Sequence, residues 1–164
     1  MKSRFSRPLP GVLMPVSVRA APFDPYAEVL AHQAAHFASA GAFGATAVFV
    51  GTMRDFNDGD AVRGMTLEHY PGMTEQHLEA ICAETAARWT LLETLVIHRV
   101  GDIEPGEPIV LVAVWSAHRA EAFEACRALM EDLKSRAPFW KKERLVEGTR
   151  WVSGNTAGYT GQES

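Results

Sequence analysis

The chain has 164 residues, with 16 Lys plus Arg against 20 Asp plus Glu, 47% hydrophobic and 22% charged residues. This suits one globular domain and excludes collagen-like, disordered and disulfide-scaffold classes, because the apolar fraction is near average and there are only two cysteines. The formal charge of −4 argues against a general nucleic-acid coat, yet it hides an asymmetry: residues 134–150 carry six bases against two acids.

The first residues, MKSRFSRPLPGVLMPVSVRA, place bases before apolar residues as a signal peptide does. Pro8, Pro10 and Pro15 interrupt the run and Arg19 ends it, so the segment is not read as a leader. No other run approaches the ~18 apolar residues of a membrane span. The expectation is a cytoplasmic protein that engages neither membrane nor nucleic acid.

Asp24-Pro25 reads as an N-cap followed by proline at the first helical position, and Tyr26, Val29, Leu30, Ala34 and Phe37 recur at helical spacing as far as Gly41. Ala45 to Gly51 is short, nearly all apolar and rich in β-formers, which predicts a strand buried on both faces. A polar loop, 52–61, follows, with turn chemistry from Asn57, Asp58, Gly59 and Asp60. Val62 to Tyr70 alternates as a strand, and Pro71-Gly72 breaks it.

Met73, Leu78, Ile81, Cys82 and Trp89 mark a second helix. Thr94–Val100 and Ile109–Ser116 predict two strands of a hairpin turning around Pro105-Gly106. A third helix spans about Arg119 to Arg136, ended by Ala137-Pro138, since the residue before a proline avoids helical geometry. Phe139–Val146 and Thr149–Val152 close the pattern across a Glu147-Gly148 turn. The order β-α-β-β-α-β-β-α-β-β predicts an α+β fold with a mixed sheet and three main helices.

Phosphate-cradling glycine motifs are missing: there is no GxxxxGK[ST], and Gly41, Gly44 and Gly51 do not make GxGxxG. No serine sits in a GxSxG elbow. Cys82 and Cys126 are too far apart for a CxxC pair and read as apolar fillers on helices. His32 and His36 lie one helical turn apart, but without the acid of HExxH or a third ligand in register they read as a solvated pair, and no metal is assigned.

Ser116-Ala117-His118-Arg119 lies where a strand enters a helix, so free N–H groups and the helix dipole would meet an imidazole and a guanidinium. This is either an anion site or a cap with a solvated Arg119. Arg54 follows another strand, at the mouth of the 52–61 loop. Lys134 falls at a helix C-terminus, where the dipole favours it in any case. Lys141 and Lys142 point to opposite faces of a strand, so one of them faces inward and needs an anionic partner.

The segments GAFGATAVFVGTMRDFNDG, MTLEHYPGM, VIHRVGDIEPGE, SAHRAEAFEACRALMEDLKSRAPFWKKE and GTRWV, running from Gly41 to Val152, resemble the catalytic (large) subunit family of molybdopterin synthase. The resemblance implies an α/β hammerhead fold. It also implies a sulfurtransferase of molybdenum-cofactor biosynthesis, in which a small ubiquitin-like subunit bearing a C-terminal thiocarboxylate donates sulfur to cyclic pyranopterin monophosphate, forming the dithiolene of molybdopterin. A homodimer of large subunits within a heterotetramer is implied, with no cofactor.

Carried over by position, Lys134 and Lys141 match the residues regarded as catalytic. Thr52, Met53, Arg54, His118, Arg119, Lys134, Lys141, Lys142 and Glu143 match the lining of the substrate pocket, and Arg150 matches an arginine reaching the neighbouring subunit's pocket. Met53 and Phe56 are bulkier and less polar than the resemblance leads one to expect in that loop. A catalytic domain is expected over 23–152, flanked by a weakly matched segment, 1–22, and a mobile tail, 153–164. Two other readings are a docking module without turnover, against which Lys134, Lys141 and Arg150 speak, and an RNA-binding domain, for which only Phe139 and Trp140 offer base-stacking rings.

Overall fold

Asp24 caps the first helix as its position predicts, its carboxylate accepting from the Tyr26 and Ala27 amides at 2.9 and 3.2 Å. The computed structural model describes residues 16–153. Residues 1–15 and 154–164, and with them nearly all of the expected C-terminal tail, lie outside the described residues. The elements are β1 (Val16–Arg19), α1 (Pro25–His36), β2 (Ala45–Thr52), β3 (Phe56–Asn57), β4 (Asp60–His69), α2 (Met73–Arg88), β5 (Leu91–Arg99), β6 (Gly101–Ile103), β7 (Pro108–Ser116), α3 (Arg119–Arg136), β8 (Phe139–Leu145) and β9 (Thr149–Val152).

Two sheets result. The first has the order β1-β5-β7-β2; β1 runs parallel to β5 and the other pairs are antiparallel, which gives the mixed sheet expected of this α+β chain. The second has the order β3-β4-β8-β9, and β6 also pairs with β4. Helices α2 and α3 cover one face of the first sheet, where Leu78, Ile81 and Leu129 pack with Val96, Val112 and Val114. Helix α1 covers the other, where Val29 and Phe37 pack on Leu95, Ile97, Ala113 and Trp115. Truncating a side chain as enclosed as Leu129 would cost about 2–5 kcal/mol. A third cluster, Met53, Val62, Met65, Leu67 and Ile103, fills the second sheet's inner face.

Four expectations need correction. β2 is not buried on both faces: among the described residues it is an edge strand paired only with β7, and Val48 and Phe49 are each 41% exposed. Its apolar run looks like that of a central strand because composition does not record how many neighbours a strand has. The 52–61 loop contains a hairpin, β3 with the start of β4, turning on Asp58 and Gly59, both at positive φ (51° and 83°). That is the two-residue turn whose twist matches its strands.

β5 and β7 are antiparallel neighbours, but no simple hairpin joins them. Between them β6 crosses to the second sheet and pairs with Met65–Leu67 of β4. The first helix stops at His36 rather than near Gly41, and Phe37 turns inward against Phe43 and Trp115.

Candidate active site

The two sheets meet beside the C-terminus of α3, and the sequence there places cations against an apolar wall. Lys134 ends α3, Lys141 stands on β8 and Arg54 follows β2; all three line one cavity of about 400 Å³. Its walls include Val50, Ile109, Met130, Leu133 and Phe139. A smaller cavity of about 100 Å³ shares Thr52, Arg54, Lys134 and Lys141 with it and adds Met53, Asn57 and Glu143.

Period-two alternation along β8 turns Lys141 and Glu143 to the same face and Lys142 to the other. Lys141 is therefore the inward lysine, and its Nζ lies 3.1 Å from Glu143 Oε1. Glu143 is 1% exposed and also accepts from Asn57 Nδ2 at 2.7 Å and from Arg150 Nε at 2.9 Å. Burial opposes ionisation of this carboxyl, but the hydrogen bonds from Lys141, Arg150 and Asn57 outweigh it and hold its pKa below the ordinary value. Lys142 sits over the Trp151 ring, 5.4 Å from its centroid, and lines neither cavity.

Burial lowers the pKa of Lys134, and the positive charges of Lys141 and Arg54 lower it further, against Glu131. The arrangement favours a more readily deprotonated amine than a surface lysine has. Arg54 is positioned by the next side chain but one: its guanidinium carbon lies 5.0 Å from the centre of the Phe56 ring. The bulk of Phe56 thus has a use at the loop. Met53 is buried in the core of the second sheet, and its backbone is clamped by Glu107 and Gly106 at 3.0 and 2.8 Å.

Two groups at the site were not singled out from the sequence. Asn57 reads as a turn residue yet binds Glu143. His98, on β5, lines the larger cavity and stacks on Phe139 at 3.9 Å between ring centres. Burial, chiefly, pushes its imidazole down to about 4, with smaller contributions from Lys134 and His69, although its Nδ1 donates to the Arg99 carbonyl at 2.8 Å. No spacing rule marks either residue, because each reaches the site through strand pairing distant in sequence.

Not every expected site residue joins this cluster. His118 and Arg119 are exposed at the N-terminal end of α3, whereas Lys134 is at its other end. Fifteen residues of helix put the two ends about 22 Å apart. Among the described residues no side chain caps that N-terminus. Arg150 is held in its own chain, where it also donates to Asp60 Oδ2 at 2.8 Å and the Asn57 carbonyl at 3.1 Å. Both cysteines are buried helix fillers, as expected; burial raises Cys82 to about 12 and Cys126 to about 11.

Fold and cavity together define a small α+β protein with a cavity lined by two lysines and an arginine. The model of the MoaE protein family matches residues 18–136. A molybdopterin synthase catalytic subunit from Pseudomonas aeruginosa is 55% identical over 141 residues, covering 86% of this chain and 91% of that one. The solved structure of a molybdopterin biosynthesis MoaE protein from Burkholderia ambifaria superposes with a TM-score of 0.72 at 43% identity, covering 88% and 92% of the two chains.

The chain belongs to the MoaE family, the catalytic subunits of molybdopterin synthase, enzymes of molybdenum-cofactor biosynthesis. The same fold occurs at 22% identity, with a TM-score of 0.70 over 84% of this chain and 90% of that one. That structure is described as a complex of subunits 1 and 2 of molybdopterin-converting factor from Helicobacter pylori. Among the described residues no helix is long and apolar enough to cross a membrane.

Proposed function

We propose that this chain transfers sulfur from the C-terminal thiocarboxylate of a small ubiquitin-like partner to cyclic pyranopterin monophosphate, in the cytoplasm. The observation that carries the reading is the joint placement of Lys134, Lys141 and Arg54 in one apolar-walled cavity. Such a cavity suits two anionic guests, a phosphorylated pterin and an extended carboxyl-derived tail. In the transfer, the thiocarboxylate sulfur bonds to a substrate carbon as a carbon–oxygen bond of that carbon breaks, the oxygen leaving with its electron pair either as water once protonated or as part of the substrate's own phosphate. Water then cleaves the acyl–sulfur bond, so the partner leaves as a carboxylate and the sulfur stays on the pterin. Two rounds complete the dithiolene.

Lys134, with its lowered pKa, is the residue suited to moving a proton or approaching the acyl carbon. Lys141, held by Glu143, is positioned at the cavity, where it would stabilise the thiolate or oxyanion that develops. Glu143 and Arg150 act here as positioning residues for Lys141 within the same chain. Thr52 and the Met53 backbone shape the mouth, and Lys142 has no part in the cavity.

His118 and Arg119 are assigned to the phosphate of the substrate bound by a second copy of the chain. A helix end about 22 Å from Lys134 cannot serve the cavity of its own subunit, whereas a homodimer can bring it to the other. Mixing tests this arrangement. Lys134→Ala chains and Arg119→Ala chains, each inactive alone, should regain turnover when dissociated and reassembled together, because hybrid dimers hold one intact site. Hybrid dimers that form without activity would contradict the two-chain site.

A further inference from the structure

On the face of the first sheet away from the lysine cavity, α1 lies against β5 and β7 with an unusual set of polar groups between them. His32 and His36 are one turn apart, their rings stacked with centres 3.9 Å apart. His32 is not the solvated residue its helical spacing suggests. It is 9% exposed, stacks on Trp115 at 5.2 Å, and among the described residues its Nε2 has no hydrogen-bond partner. The third group absent from the helix comes from the sheet: Glu93, 8% exposed and paired across the strands with Trp115, places Oε1 3.8 Å from His32 Nε2. That separation is too long for a hydrogen bond.

We propose that His32, His36 and Glu93 bind one divalent transition-metal ion of the zinc class, tying α1 to β5. One donor atom from each residue lies within 4.8 Å of the other two. Zinc held at about 2.1 Å by each donor needs them about an ångström closer together. His36 is exposed and is the last residue of α1, so its ring can supply most of that movement.

The tautomer is set for ligation. His36 Nδ1 lies 2.9 Å from the His32 carbonyl, which can only accept, so Nδ1 carries the proton and Nε2 presents a lone pair. Glu93 is oriented by the Thr94 amide, which donates to Oε1 at 2.9 Å. Two imidazole nitrogens and a carboxylate, with a fourth position for water, are a donor set for zinc rather than for magnesium or calcium. A cation would also partner the His32 nitrogen, which is costly to bury without one, and would add to the Thr94 amide bond that Glu93 already has.

The test uses full-length, tag-free protein stripped with a chelator and titrated with zinc or cobalt(II) chloride. Calorimetry should give one ion per chain, and the unfolding midpoint should rise by about 5–10 °C at a hundredfold excess over Kd. Cobalt should show tetrahedral absorption and quench the fluorescence of Trp115. His36→Ala, at an exposed position, and Glu93→Gln should each weaken binding at least about tenfold with unchanged circular dichroism. Absence of saturable one-to-one binding, or affinity unchanged in His36→Ala, would overturn the proposal; because His36 is exposed, that variant decides the matter even if Glu93→Gln misfolds.

Discussion

Lys141 Nζ and Glu143 Oε1 lie 3.1 Å apart, two residues along one strand, so the carboxylate that holds the lysine is itself almost entirely buried. Glu143 joins Lys141 on its own strand to Arg150 on β9 and Asn57 on β3, and this makes one carboxylate the junction of three segments. A charge so enclosed is stable only while its partners remain.

Replacing Glu143 with glutamine should therefore cost about 2 kcal/mol of stability, by leaving charged donors without their acceptor. It should also reduce turnover more than partner binding, since Lys141 loses its orientation. The pH dependence has a definite sign. The folded pKa lies below the ordinary 4.5, so the contribution is present above that value and is lost as the pH falls below it through the folded pKa. Denaturant unfolding of wild type and Glu143→Gln should converge in acid and diverge at neutral pH.

Lys134 should titrate below a surface lysine, and the neighbouring cations should be part of the reason. Removing either by Lys141→Ala or Arg54→Ala should move its pKa upward, toward 10.5. Isotope-labelled lysine followed by NMR through the alkaline range reads this directly. An unchanged Lys134 resonance in both variants would mean that burial alone sets its value.

The half-buried His98 gives the fold a second pH dependence. Its imidazole is pushed from 6.5 to about 4, so the unfolded chain binds a proton that the folded chain refuses. Stability from this group is complete above about 6.5 and is lost as the pH falls toward 4, by up to about 3 kcal/mol. His98→Gln should flatten the pH profile of unfolding over that interval.

Much of this was legible in the chain. Asp24-Pro25 and Ala137-Pro138 mark helix ends through backbone chemistry that acts locally, and α3 begins and ends where the spacing predicts. The alternation of β8 led to the rule that one of Lys141 and Lys142 faces inward; the structure shows that it is Lys141 and that its partner is Glu143. Glu93 could not be matched to His32 and His36, because 57 residues separate it from His36 and the contact is made only when α1 packs on β5. The exposure of β2 and the crossing of β6 were hidden for the same reason: strand order is a property of the assembled sheet. The predicted third helix already set His118 and Arg119 at the opposite end from Lys134, and the structure keeps that separation.

Both thiols should be dispensable for the chemistry. Burial raises Cys82 and Cys126 to about 12 and about 11, so neither is a thiolate near neutral pH, and in the proposed reaction the sulfur arrives on the partner. The double substitution Cys82→Ala and Cys126→Ala should lose stability yet retain sulfur transfer in folded protein. Abolished transfer with an intact fold would point to a persulfide relay.

The most direct test of sulfur transfer is to mix purified chain with a thiocarboxylated small subunit and cyclic pyranopterin monophosphate and to measure dithiolene product. The expected result is product with wild type and a severe loss with Lys134→Ala and with Lys141→Ala, both variants still binding the partner. No product from folded, partner-bound wild type, or wild-type turnover in both lysine variants, would contradict it.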